Sequence, residues 1–119
     1  MKQRRREPRH SVRIDLEMAP APPAVAANAP APSSWTRAAS VNLSYGGIAI
    51  ESPASLRLRS RWSIRLRAAS AHCEIGGVVK HCRPTTDWMS FLVGLEFTVL
   101  DASARAVVAE LIQLATPVA

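Results

Sequence analysis

Aromatic residues, cysteine and acidic residues are all scarce in this chain. Three Trp, one Tyr and two Phe make up 5% of 119 residues, so packing must come from Val, Ile and Leu. A protein that stacks successive bases needs an aromatic platform, and Tyr45, Phe91 and Phe97 supply it poorly. Cys73 and Cys82 are the only cysteines. They make no disulfide framework, which points to the cytoplasm. No stretch approaches the roughly 18 apolar residues of a membrane helix, and no apolar run follows the basic start as a secretory signal would require. A membrane span is therefore not expected. Nor is an enzyme: no nucleophile with a base partner and no paired acids can be picked out.

Nine acidic residues face 15 Lys and Arg, giving a formal charge of +6 and a pI near 10.7. Such a balance fits a polyanionic partner, whether nucleic acid, nucleotide or acidic membrane, as well as a merely positive surface. The basic residues crowd at the start. Lys2, Arg4, Arg5, Arg6, Arg9 and Arg13 stand against the single acid Glu7. The length allows one domain with one modest core.

Along the chain, His10–Met18 alternates, with Val12, Ile14 and Leu16 on one face of a short strand. Residues 19–34 contain Pro20, Pro22, Pro23, Pro30 and Pro32 and read as an extended, mobile Ala/Pro-rich loop unable to pair in a sheet. Trp35–Ile50 reads as strand, turn, strand, with Asn42–Gly47 as the turn. Arg61–Ala68 and Phe91–Leu100 are further strands, and Cys73–Cys82 is either one strand or a tight hairpin about Gly76–Gly77. Ala104, Val107, Val108, Leu111, Leu114 and Ala115 recur at helical spacing, predicting a C-terminal helix over about 102–115 capped by Asp101 or Ser103. Together these patterns predict a mostly β domain, a small barrel or a sandwich, with one helix packed on it. The domain spans residues 11–118 behind a basic arm, residues 1–10.

Two short elements carry chemistry. Arg5 and Arg9 are spaced R-x-x-x-R on an arm bent by Pro8. Guanidinium groups donate paired hydrogen bonds to phosphodiesters and stack on purines; a solvated basic tail is the plain alternative. Asn42-Leu43-Ser44-Tyr45-Gly46-Gly47 lies between strands. Asn and Ser can exchange hydrogen bonds with a guanine edge. The two glycines permit positive φ and close approach; an ordinary hairpin turn would use the same residues.

Joined in this order, R-x-x-x-R and N-x-S-x-x-G resemble the signature of the PilZ family. Gly77-Val78-Val79-Lys80-His81 and Gly94-Leu95-Glu96-Phe97 are similar to two of that family's strands. The resemblance implies an antiparallel β-barrel of about six strands with the helix packed on it, and a receptor for cyclic di-GMP that signals to a protein effector. Arg5 and Arg9 would grip phosphate and stack on guanine, Asn42 and Ser44 would read the guanine edge, and Gly47 would permit the approach. Arg4, just before the motif, goes in the family with an intercalated pair of ligands, hence two cyclic di-GMP per chain and no other cofactor. The arm is expected to be disordered until ligand orders it. A basic nucleic-acid-binding barrel and a non-binding PilZ protein of type IV pilus assembly are the competing readings; nucleic acid is disfavoured by the lack of aromatics.

Three further features have plain readings. His72-Cys73 and His81-Cys82 are spaced wrongly for zinc, and on one uninterrupted strand Cys73 and Cys82 would face opposite sides. Lys80 and His81 read as ordinary strand residues, with a place in the pocket wall as the alternative. Trp35, Trp62 and Trp88 read as core or barrel-rim residues.

Overall fold

A computed structural model describes residues 9–21, 35–114 and the backbone of 116–117. In chain order its elements are β1 (His10–Ser11), β2 (Asp15–Pro20), β3 (Thr36–Leu43), β4 (Gly47–Ser52), β5 (Arg61–Arg67), β6 (His72–Pro84), β7 (Phe91–Phe97), α1 (Ala102–Gln113) and β8 (Thr116–Pro117). The antiparallel order β2-β5-β6-β7-β4-β3 closes on itself through a β2–β3 pairing, so six strands form a barrel; β1 and β8 extend β3 outward. Closure leaves these six strands with both neighbours occupied and removes the open edges of a sandwich.

The predicted first strand is two strands. Val12 to Ile14 break the pairing, and β1 and β2 meet different stretches of β3. The buried Ser40 hydroxyl spans this break. It accepts from the Ile14 N–H at 2.9 Å and donates to the Val12 carbonyl. Of the predicted inward face, Val12 and Leu16 are buried and Ile14, within the interruption, is half-buried; Met18 continues the face.

The Ala/Pro segment begins later than expected. Ala19 is buried and pairs with Ser63, and Pro20 pairs with Trp62 at the end of β2. Proline is tolerated there because the next ladder bond comes from the Ala21 N–H, which donates to Arg61 O at 3.0 Å. The remainder, 22–34, lies outside the described residues, as does the arm up to residue 8.

Cys73–Cys82 belongs to one long strand, with no hairpin at Gly76–Gly77. Cys73, Ile75, Gly77 and Val79 point inward; then Lys80 and His81 are both exposed, and Cys82 packs against the core. The pairing with β7 shifts between Val79 and His81. One extra residue in a bulge reverses the alternation. Cys73 and Cys82 therefore turn to the same side, against the expectation from an uninterrupted strand. Both are free thiols.

The helix starts where predicted. The Asp101 carboxylate accepts from the Ala104 N–H at 2.9 Å, and Ala104, Val107, Val108 and Leu111 lie buried against β5 and β6. Leu114, expected on the apolar face, is instead the exposed C-cap, and Ala115 lies outside the described residues. Two of the tryptophans fit their expected places. Trp62 is half-buried, its indole N–H donating to Ser60 at 2.9 Å, and Trp35 lies 3.8 Å beneath the Arg65 guanidinium. Trp88 does not: it stands 77% exposed at the tip of the β6–β7 hairpin.

Candidate functional site

An open depression of about 480 Å³ lies on the outer face of β4, β7 and β6, lined among others by Arg9, Ser44, Gly46, Gly47, Lys80 and His81. Arg9 reaches it from the residue before β1. Because His10 pairs with Leu43 and Ser11 with Asn42, the arm enters antiparallel to the end of β3. The Arg9 guanidinium donates to Asn42 Oδ1 at 3.1 Å across 33 residues of chain. The last arginine of R-x-x-x-R and the first residue of N-x-S-x-x-G are thus in direct contact. Arg4 and Arg5 lie outside the described residues.

The turn from β3 to β4 is organised by Ser44, which is buried. Its hydroxyl accepts from the N–H groups of Gly46 and Gly47 at 3.1 and 3.2 Å, and its own N–H donates to Gly47 O at 2.9 Å. A hydroxyl bonded to the backbone two and three residues on holds such a turn without left-handed residues. Accordingly neither glycine has positive φ, contrary to what the sequence suggested. Gly47 is required for another reason. It pairs with Glu96 in the ladder, and a Cβ there would lie 2.3 Å from the Leu95 carbonyl oxygen. The close approach it permits is that of β7.

Two further contacts fix the turn. Phe97 N–H donates to Gly46 O at 2.9 Å, and Arg105 of α1 lies 4.9 Å over the Tyr45 ring. The terminal helix therefore braces the hairpin at the edge of the depression.

The opposite wall is built by Lys80 and His81, the alternative to reading them as ordinary strand residues. The bulge in β6 turns Lys80 and His81 outward together, and both line the depression. The His81 ring lies directly over Gly94: a Cβ on Gly94 would meet its Cε1 at 2.3 Å and its Nε2 at 2.6 Å. A flat ring on a bare backbone makes part of the floor planar. Lys80 Nζ stands 3.4 Å from Glu96 Oε1, offsetting the one carboxylate in the lining; both groups are exposed, so the pair is weak. The adjacent polar residues Lys80 and His81 hint at an irregularity here, but the bulge itself is defined by the pairing with β7.

A second depression of the same volume is lined by Asp15, Glu17, Arg37, Arg65, Arg67, His72 and Glu74. Arg65 is occupied there by Glu17 at 3.6 Å, Glu74 at 3.2 Å and the Trp35 ring. Among the described residues, no group of His, Cys, Asp and Glu is placed to hold a metal ion. No helix among them is long and apolar enough to cross a membrane.

The fold has known counterparts. The PilZ domain of YcgR from Escherichia coli, solved with c-di-GMP, superposes with a TM-score of 0.65 at 16% identity, over 94% of this chain and 91% of that one. The Bacillus subtilis inhibitor of motility MotI/DgrA gives 0.64 at 22% identity, and the K. pneumonia MrkH–c-di-GMP complex 0.58 at 17%. This chain spans only 52% of each of the latter two. At these identities the likeness shows the shared fold. No curated protein matches the sequence. The sequence profile of the PilZ domain matches residues 3–114, nearly the whole chain, and it includes the arm, both short motifs and the helix. The chain belongs to the PilZ domain family.

Proposed function

We propose that this chain is a receptor for cyclic di-GMP that acts by changing a protein contact and carries out no chemistry itself. The observation that carries this reading is the Arg9–Asn42 hydrogen bond, which joins two motifs 33 residues apart at the rim of one depression. Family membership supports it, as do the c-di-GMP complexes named for the YcgR and MrkH structures.

In this reading Arg9 and Arg5 hold phosphate, and Arg9 is kept in place by Asn42 when the site is empty of charge. Ser44 shapes the turn and presents its edge to guanine. Gly46 and Gly47 leave backbone bare beside the ligand, while His81 over Gly94 offers a face for a base. Arg4, Arg5 and Arg9 place three cations on one short arm, a better match for two dianionic ligands than for one. Two cyclic di-GMP molecules per chain are therefore proposed, with the arm closing over them and presenting a new surface to an effector protein.

Isothermal titration with cyclic di-GMP, GTP and single-stranded DNA tests the reading. Saturation by cyclic di-GMP alone, at two equivalents, is expected. Arg4→Leu should move the unmodified two-ligand stoichiometry toward one. Heat from DNA but none from cyclic di-GMP would turn the reading to a nucleic-acid-binding barrel, and no heat from any of the three to a non-binding member of the family.

A further inference from the structure

The end of the barrel carrying the β6–β7 hairpin presents side chains that the receptor reading leaves unused. Trp88 and Met89 are 77% and 79% exposed at adjacent positions on the tip. The tip is held firmly. Thr85 N–H donates to Ser90 O at 2.9 Å, and Trp88 N–H to Thr85 O at 3.0 Å. The Asp87 carboxylate accepts from the Thr85 hydroxyl at 2.6 Å and from Met89 N–H at 3.0 Å. Trp88 is kept at φ 62, a left-handed conformation that a bulky residue rarely adopts. A built turn thus holds one of the chain's three tryptophan side chains out into solvent, at the expense of backbone strain.

The loop from β4 to β5 shares this end. Ser52 pairs with Phe91 and Phe91 with Pro84, so that loop and the hairpin leave the barrel side by side. The loop returns at Arg59, whose N–H donates to Val79 O at 2.8 Å. Along it Leu58 is 56% exposed, and Arg59, at φ 69, is the other left-handed non-glycine residue among those described. Arg57, Arg59 and Arg61 are exposed, as is Arg83 at the base of the hairpin. None of these four arginines makes an ion pair among the described residues. The nearby acids are engaged: Asp87 within its own turn, and Glu51 by Ser90 at 2.7 Å and Arg13 at 3.2 Å.

We infer that this end docks on the surface of an anionic lipid bilayer, with Trp88 and Met89 entering the headgroup layer and the four arginines resting on the lipid phosphates. Trp favours the membrane–water boundary because its ring is apolar and its N–H polar. Arginines without internal partners are attracted to an acidic leaflet, and an apolar anchor and basic charge together give binding that neither gives alone. A convex tip needs no complementary pocket in a fluid bilayer, whereas a protein partner would have to supply one.

The test is co-sedimentation of the purified chain with vesicles of phosphatidylcholine containing phosphatidylglycerol, against vesicles of phosphatidylcholine alone. Binding to the anionic vesicles only, weakened by added salt, is expected. Trp88→Gly removes the anchor and suits the left-handed backbone, so the variant should fold, and its partition should fall roughly tenfold or more. Arg57→Gln with Arg59→Gln should also reduce binding, and Arg65→Gln should not. The proposal is overturned if the unaltered chain ignores anionic vesicles, binds neutral ones equally well, or is unaffected by Trp88→Gly. Loss of a protein contact in Trp88→Gly, with no vesicle binding by the unaltered chain, would assign the tip to a protein and equally overturn it.

Discussion

Two depressions of about 480 Å³ mark the surface of this barrel, and size does not tell them apart. In one, Arg65 is already engaged by Glu17, Glu74 and the Trp35 ring. The other has exposed backbone at Gly46 and half-exposed backbone at Gly47, the His81 ring lying over a buried Gly94, and the cations Arg9 and Lys80 beside a single carboxylate. A ligand drawing on Arg65 in the first must compete with pairs between exposed side chains. A ligand entering the second meets peptide groups and a flat face that no side chain covers. What makes a candidate site here is exposed backbone beside cations, and its geometry is fixed by how closely neighbouring strands approach.

The largest expected effect lies at the strands that frame the second depression. Gly47→Ala would place a methyl group 2.3 Å from Leu95 O, so β4 and β7 must separate. A loss of about 2–3 kcal/mol in urea unfolding is expected, together with loss of ligand binding. Unchanged stability would show that the approach of β7 is not what requires glycine.

The next effect contrasts the two depressions directly. Arg9→Ala should weaken cyclic di-GMP binding at least about tenfold with the fold intact, because a charge-assisted hydrogen bond contributes roughly 1.5–3 kcal/mol. Arg65→Ala and Arg67→Ala should leave the affinity within about twofold, since Arg65 is exposed and engaged elsewhere. A larger effect at Arg65 than at Arg9 would exchange the roles of the two depressions.

A smaller effect isolates the floor. Gly94→Ala should cost about 1–2 kcal/mol by displacing the His81 ring, and adding His81→Ala should recover most of that stability. Ligand affinity should fall in both variants, because each removes the flat face. Additive losses of stability in the double variant would show that the two residues do not meet.

The smallest concerns the helix that braces the turn. Hydrogen bonds from Ala104 N–H and the Ser103 hydroxyl hold Asp101 below the usual aspartate range. A group with a lowered folded pKa stabilises above its unfolded value, and that contribution is lost as pH falls through the lowered one. Asp101→Asn, which still caps, should flatten this part of the acid limb of the melting temperature while changing little at neutral pH. An identical acid limb in both proteins would remove the charged cap from the account.

Much of the architecture was legible because it rests on local rules. Val12, Leu16 and Met18, Ile64 and Leu66, and Val107, Val108 and Leu111 reveal their faces through periods of two and 3.6 alone. Asp101 before an apolar helical pattern announces a cap. The pairing of R-x-x-x-R with N-x-S-x-x-G pointed to a family, and the family implied the closed six-strand barrel that the strand pattern had left open against a sandwich.

Other features depend on contacts between distant residues. Alternation alone could not place the bulge that brings Lys80 and His81 out together and turns Cys73 and Cys82 to one side, because a bulge is defined by the partner strand β7. Ala19 and Pro20 look like linker until Ser63 and Trp62 pair with them. Gly47 looks like a flexible turn residue, yet what excludes a side chain there is Leu95, 48 positions later in the numbering. The inward faces of the uninterrupted strands and the start of the helix follow from each residue's own chemistry and its near neighbours. Which polar groups share a surface is set by the folded chain, because barrel closure and strand register bring Arg9 to Asn42 and His81 to Gly94, and neither contact is encoded within a few residues of chain.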